Sequence, residues 1–337
     1  MKKNGYRNLC SNLVPDLEPA RTDCSDVTQG VTGLRTIRKL INCAFTMLAV
    51  TCTMNGQQIE PPLRWATASA YEARIYPNIV YGVEEGHELK LDVITAGPDR
   101  QMRPTLIYIH GGGWSGGTKE EYQWFTLPFI AEGMNVVNIE YRTSSVSLAP
   151  AAVEDCRCAL RWVFRHAQEY GLNTDKLVLD GHSAGGHLSL MTGILDPSAG
   201  FDNNCPGKED LRVAAIINYF GITDVPDVLQ GKNQQDWAVT WFGSLPGRME
   251  LAKRLSPLTY VRSGLPPIIT IHGTNDALVP YQEAVLLHEA LDRVGAPNEL
   301  VTIPGGGHGS QFWSREDNWK AQSAIMEFLK KYGVISQ

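Results

Sequence analysis

A glycine-flanked serine, Gly181-His182-Ser183-Ala184-Gly185, follows the apolar run Leu177-Val178-Leu179 and precedes a helix-like segment, 186–195. No other stretch constrains the fold as strongly. It specifies a strand, a sharp turn and a helix, with the serine hydroxyl held out beyond the sheet edge. Glycines flank the serine because a Cβ in so tight a turn would clash.

Three further segments carry groups that acyl transfer would need. His110-Gly111-Gly112-Gly113-Trp114 follows the strand-like run Thr105–Ile109. Acyl transfer places negative charge on a carbonyl oxygen, and preorganised backbone N–H donors stabilise that charge. The N–H groups of Gly112, Gly113 and Ala184 are the candidate oxyanion donors, because glycines let backbone approach a substrate unobstructed. Asp276 lies just beyond the strand-like run Pro267–Gly273, where an acid orienting a base belongs. Asp155, on an amphipathic helix, and Asp224, in the loop after Tyr219-Phe220, are weaker candidates. His308 sits in the glycine-rich loop 304–309, after the strand-like run Glu299–Thr302, and is the candidate base. His288 falls within an apolar-periodic helix and reads as a packing or surface residue. His182 and His187 flank the serine and read as structural or pocket-lining groups. Trp114 and His182 are the candidate substrate-binding residues, Trp114 because it abuts the oxyanion glycines.

The set resembles the α/β-hydrolase superfamily. More narrowly it resembles bacterial esterases of the hormone-sensitive-lipase-like and feruloyl/acetylxylan esterase-like types. The resemblance rests on His110–Trp114, Gly181–His187, His272–Asp276 with Val279-Pro280, and Gly307–Gly309, and covers roughly residues 75–335. Hormone-sensitive-lipase-type enzymes usually carry Asp before the serine, where this chain has His182; that difference and Trp114 favour the feruloyl/acetylxylan-like branch. The superfamily's triad order, serine then acid then histidine, leaves only His288 and His308 beyond Asp276. The resemblance thus implies a serine esterase with triad Ser183, Asp276 and His308, and no metal or organic cofactor. Its substrates would be small-molecule or carbohydrate-linked acyl esters, acetyl or feruloyl. Amide hydrolysis, of an arylformamidase or prolyl-oligopeptidase-like kind, shares the same motifs. A binding protein built on this fold would normally lack a triad member, and none is missing here.

The formal net charge is −6, and there is no basic patch interleaved with aromatic residues, so nucleic acid is not an expected partner. Nor is there cysteine–histidine spacing suited to zinc. Four of the seven cysteines, Cys10, Cys24, Cys43 and Cys52, precede residue 75. Cys156 and Cys158 are two apart on a predicted helix, a spacing that points them to different sides and disfavours a mutual disulfide. Residues 1–75 read as a leader or extension. Within it, Arg35, Arg38 and Lys39 precede the apolar run Leu40–Cys52, an arrangement resembling a secretory signal. That run is short for a membrane span. The expectation therefore leans toward a secreted or periplasmic protein over a cytoplasmic one, with no integral span. The oligomeric state is left open.

Residues 76–337 read as one catalytic domain of α/β class. An antiparallel hairpin over 78–95 leads into alternating strands and helices, which gives a mostly parallel sheet covered by helices on both faces. The helix 150–170 should bury Val153, Cys156, Leu160, Val163 and Ala167. An irregular helical insertion, 226–261, holds Trp237, Trp241 and Phe242. With Trp313, these are candidates either for core packing or for an apolar pocket wall.

Overall fold

The computed structural model describes residues 73–336; the leader calls, including the 35–52 segment, lie outside the described residues. Eight strands form one sheet: β1 Arg74–Glu84, β2 His87–Thr95, β3 Arg103–Ile109, β4 Asn135–Ile139, β5 Leu172–His182, β6 Ala215–Tyr219, β7 Ile268–Gly273 and β8 Asn298–Ile303. Their spatial order is β1-β2-β4-β3-β5-β6-β7-β8. The β1–β2 and β2–β4 pairs are antiparallel, and every pair from β4 to β8 is parallel. The expected hairpin is present, and its first strand starts at Arg74, a turn earlier than the alternation suggested.

The helices are α1 Leu127–Ala131, α2 Ala151–Tyr170, α3 Ala184–Ile194, α4 Val225–Leu229, α5 Asp236–Phe242, α6 Arg248–Arg254, α7 Gln282–Arg293 and α8 Arg315–Lys331. Alternation along the strands divides the core in two. Ile107, Ile109, Leu177, Leu179 and Ile216 face the layer of α2, α3, α7 and the insertion. Leu106, Tyr108, Val178, Ile217 and Ile271 face α1 and α8. Parallel strands buried on both faces read as continuous apolar runs, as these do.

The stripe expected on α2 is buried: Val153, Cys156, Leu160 and Val163 are at most 1% exposed and Ala167 is 8% exposed. The helix ends at Gly171, whose φ of 67° suits glycine, and whose N–H closes on the Ala167 carbonyl. Helix α8 is an element the motifs do not reach. It starts at Ser314, whose side chain accepts from the Asp317 N–H.

The cysteine spacing correctly separates Cys156 from Cys158, but it does not reveal the actual bond. Cys158 is joined to Cys205, and Cys156 is free and buried. The bond ties α2 to the loop between α3 and β6. The same loop is held by Arg157–Asp202 at 2.7 Å and by Glu209, which pairs with Arg161 and, at 2.7 Å, with Arg165. Among the described residues no helix is long and apolar enough to cross a membrane.

Candidate active site

Strand β5 runs between β3 and β6 and delivers Ser183 at its carboxyl end. Ser183 has φ 56° and ψ −120°, a strained conformation for a residue with a side chain. The Ser183 N–H donates to the Tyr219 carbonyl at 2.8 Å, and its carbonyl accepts from the His187 N–H at 3.0 Å. The turn is therefore pinned from β6 and from its own helix. A Cβ at Gly181 would come within 2.7 Å of the Ile109 carbonyl oxygen, and one at Gly185 within 2.7 Å of the His110 oxygen. Both glycines are required by close backbone approach, not by a positive φ.

The structure brings Ser183, His308 and Asp276 together although they are far apart in sequence. His308 Nε2 lies 3.0 Å from Ser183 Oγ, and His308 Nδ1 lies 2.7 Å from Asp276 Oδ2. A neutral imidazole satisfies both contacts when Nδ1–H donates to the carboxylate and Nε2 accepts from the hydroxyl. The base loop is anchored on three sides. The Asn275 N–H donates to the Gly306 carbonyl at 2.9 Å, the Trp313 indole N–H donates to the Gly307 carbonyl at 2.9 Å, and Phe220 packs edge-on against His308. Asp276 Oδ1 accepts the N–H groups of Leu278 and Val279, each at 2.9 Å. Burial pushes the Asp276 carboxyl up, but hydrogen bonds from His272 and His308 outweigh it and hold the group well below the usual carboxylate range.

Beside the serine, the loop after β3 turns with Gly112 at φ 117°, Gly113 at φ 59° and Trp114 at φ 56°. Ser115 and Gly116 donate their N–H groups back to the Gly112 carbonyl, at 3.1 and 3.0 Å, closing the turn. Tyr141 Oη donates to the His110 carbonyl at 3.1 Å and stacks on the His110 ring, fixing the loop from beneath. Gly112, Gly113, Ser183 and His308 open onto one cavity of about 370 Å³. Its wall also includes Tyr122, Phe125, His182, Phe220, Trp237 and Leu278, with Ser310 and Gln311 on the side of the base loop. Among the described residues that line it there is no carboxylate or ammonium group.

Trp114 departs from the sequence expectation. It does not line this cavity. Its positive φ turns the side chain inward, where it is fully buried, stacks on Trp241 at 4.0 Å and donates from Nε1 to His187 Nδ1 at 3.2 Å. The wall position belongs instead to Trp237, whose Cβ would lie 2.8 Å from a Cβ added at Gly113. His182 does form part of the wall, but as a ring rather than as an open polar group. It is held between Tyr219 and Phe125, and its Nδ1 is 2.7 Å from Tyr108 Oη. Burial, with His308 nearby, pushes its pKa down to about 3. His187 spans from Trp114 to the Leu255 carbonyl, 2.7 Å from Nε2, and so ties α3 to the insertion.

The rival residues are engaged elsewhere. Asp155 is fully buried against the Arg142 guanidinium. His288 is buried with Nδ1 2.6 Å from Asn298 Oδ1. Asp224 starts α4, and its N–H donates to Glu283. Tyr122, Phe125 and Phe220 are wall residues that the motifs do not mark. Tyr122 and Phe220 lie on loops and Phe125 on the single 3-10 turn Gln123–Thr126, and tertiary packing sets the path of each, so no local spacing announces them. Among the described residues no cluster of His, Cys, Asp and Glu has an arrangement that could hold a metal ion.

Fold and constellation together define an α/β-hydrolase architecture carrying a Ser–His–Asp arrangement. Residues 91–291 match the BD-FAE family model, and the chain belongs to that family. It is 33% identical over 217 residues to the probable carboxylic ester hydrolase LipM of Mycobacterium tuberculosis, covering 61% of this chain and 49% of LipM. To the esterase LipC of the same organism it is 26% identical, covering 68% of this chain and 58% of LipC. The chain thus spans about half the length of these curated relatives. Among solved structures it resembles a thermophilic esterase of Thermogutta terrifontis, Est2, with TM-score 0.65 and 28% identity over 79% of this chain and 94% of that one. A propionate-bound form of the same esterase superposes equally well, with TM-score 0.65, 28% identity and coverage of 79% and 97%.

Proposed function

We propose that the protein is a carboxylester hydrolase that cleaves short-chain or carbohydrate-linked acyl esters, acetyl or feruloyl, through an acyl-enzyme on Ser183. The observation that carries this reading is the unbroken chain from Ser183 Oγ to His308 at 3.0 Å and on to Asp276 at 2.7 Å. Ser183 Oγ attacks the ester carbonyl while its proton passes to His308 Nε2. Asp276 keeps the imidazole in the Nδ1–H tautomer and stabilises the imidazolium. The oxyanion takes hydrogen bonds from the N–H groups of Gly112, Gly113 and Ala184. Collapse breaks the bond to the alkoxy oxygen, which leaves with the proton from His308. Water then attacks the acyl-enzyme with His308 as base, releasing the acid and restoring the serine.

The cavity supports a short acyl group. Trp237 stands against Gly113, on the oxyanion side, Phe220 packs edge-on against the His308 ring, and Leu278 also lines the cavity. The similar esterase Est2 has been solved with propionate, a short acyl group, bound. A neutral lining of aromatic rings with Tyr122, Ser310 and Gln311 suits an uncharged alcohol such as a sugar. The activity is assigned to the domain built on the eight-stranded sheet, whose first strand begins at Arg74, two residues ahead of the 76–337 boundary read from the sequence.

The test is hydrolysis of p-nitrophenyl esters of rising chain length, acetylated xylan and methyl ferulate by wild type and Ser183→Ala. The reading requires turnover by wild type, highest on acetyl to butyryl esters, and a loss of roughly 10⁴-fold or more in the variant. Wild-type protein inactive on all of these esters, or a variant retaining a tenth of kcat, would overturn it.

A further inference from the structure

Between the oxyanion glycines and the wall residue Tyr122 the chain passes through Lys119, a lysine that is only 1% exposed. Its Nζ lies 3.0 Å from both carboxylate oxygens of Asp92, a buried residue of β2, and 2.5 Å from Oε1 of the exposed Glu120. The Lys119 carbonyl accepts from Nδ2 of Asn138, a buried residue of β4, at 2.6 Å. Asp92 Oδ1 in turn accepts the Asn78 N–H of β1 at 2.7 Å. One residue is thus tied to β2 by its side chain and to β4 by its backbone. Burial pushes the Lys119 ammonium down, but hydrogen bonds to Glu120 and Asp92 outweigh it and hold the group above its ordinary value, so the pair is ionised.

This tie sits at the exit of the loop that carries Gly112 and Gly113. The loop closes on itself, because the Gly112 carbonyl accepts the N–H groups of Ser115 and Gly116. Its two ends touch: a Cβ added at Gly117 would collide with the Gly111 carbonyl oxygen. Each end is also held from β4 or just beyond it, the entry by Tyr141 Oη on the His110 carbonyl at 3.1 Å and the exit by Asn138 on Lys119. A buried ion pair is weak as a stabilising device, since desolvation of the two ions offsets most of their attraction and apolar side chains of similar volume often serve as well. What the pair adds is direction. An ammonium at this depth must stay beside its carboxylate, which leaves the loop exit one place to sit.

We infer that Lys119 is a positioning residue for the oxyanion hole: its buried ion pair with Asp92 fixes the exit of the 110–117 loop and, through it, the N–H groups of Gly112 and Gly113. The inference rests on the esterase reading and on those two N–H groups as oxyanion donors. They act where negative charge develops, so a displaced loop weakens binding of the transition state more than binding of the ester.

The test uses the full chain with the double substitution Asp92→Asn and Lys119→Met. No buried charge is then left unpaired, and the amide oxygen can still accept the Asn78 N–H. The urea midpoint should stay at the wild-type value. On p-nitrophenyl acetate kcat should fall by at least about tenfold, within the roughly hundredfold that a 1 Å misplacement can cost, while KM changes less than about twofold. Affinity for a trifluoromethyl ketone, whose serine adduct places an oxyanion in the hole, should fall in step with kcat/KM. Asp92→Asn alone leaves Lys119 paired with Glu120 and should give a smaller loss of kcat, about threefold, again at unchanged KM. A folded double variant with wild-type kcat, or one whose loss lies in KM alone, would overturn the inference. So would a double variant that does not fold, because the pair would then be a requirement of folding. Wild-type protein without turnover on any ester would instead remove the esterase reading itself. Wild-type turnover that is lost in Ser183→Ala and unchanged in the double variant would remove this inference alone.

Discussion

The Trp114 indole N–H donates to His187 Nδ1 at 3.2 Å, and His187 Nε2 is 2.7 Å from the Leu255 carbonyl. One buried relay therefore joins the loop of the oxyanion glycines, the helix behind the serine and the insertion. Trp114→Phe removes the donor and leaves Nδ1 unpaired, which costs about 1–3 kcal/mol. Denaturant midpoints should fall accordingly, while KM for a short ester changes less than about twofold, because Trp114 is outside the cavity. A large KM change at unaltered stability would return Trp114 to the substrate wall.

Trp237 occupies the wall position instead. Replacing it by Ala opens the side of the cavity next to Gly113. The ratio of kcat/KM on an octanoate ester to that on a butyrate ester should rise by roughly tenfold, the scale on which a one-to-few-methylene fit discriminates. An unchanged ratio would place the acyl chain elsewhere.

The Cys158–Cys205 bond closes a loop of sequence separation 47. Its removal by the double alanine substitution should cost about 2–4 kcal/mol of stability. Activity at low temperature should survive, since neither cysteine borders the cavity. Urea denaturation of the oxidised and alanine forms gives the comparison, and coincident curves would show that the Asp202 and Glu209 ion pairs alone hold that loop.

Three buried histidines set the acid limit of stability. Burial pushes His110 and His187 down to about 4, and burial with neighbouring His308 pushes His182 down to about 3. Their unfolded value is near 6.5, so below it the unfolded chain binds protons that the native chain does not. The stability their neutral forms allow is complete above pH 6.5 and is lost as pH falls toward 4. Three such groups give a slope of up to about 4 kcal/mol per pH unit in that window. Equilibrium unfolding between pH 7 and 4 measures it, and a flat profile there would mean that these rings protonate without unfolding.

Much of the site could be read in the chain because its chemistry is backbone chemistry. Gly181 and Gly185 lie against carbonyls of β3 and of the loop after it, and Gly112 and Gly113 adopt positive φ, so glycine at each place is a local demand that shows in sequence. Asp276 and His308 each follow an apolar strand run, and loop placement marks them. Side-chain direction was not legible in the same way. Nothing local distinguishes Trp114, folded inward by a φ of 56°, from Trp237, which reaches the cavity from a separate helix. The pairing of Cys158 with Cys205, and the placement of Phe125 and Phe220, likewise depend on how distant loops pack. Helix α8 was legible as a helix, since Ala321, Ile325, Phe328 and Leu329 recur at helical spacing behind the Ser314 cap, but it carries no catalytic motif to draw the eye.

The most direct measurement of the central claim is covalent labelling. The protein is incubated with a phosphorylating ester analogue such as paraoxon, digested and mapped by mass spectrometry, with residual esterase activity followed in parallel. The account requires one adduct per chain, on Ser183, accumulating in step with loss of activity and slowed at least a hundredfold in His308→Ala. Complete loss of activity with the adduct on another residue, or full activity with Ser183 quantitatively modified, would contradict it.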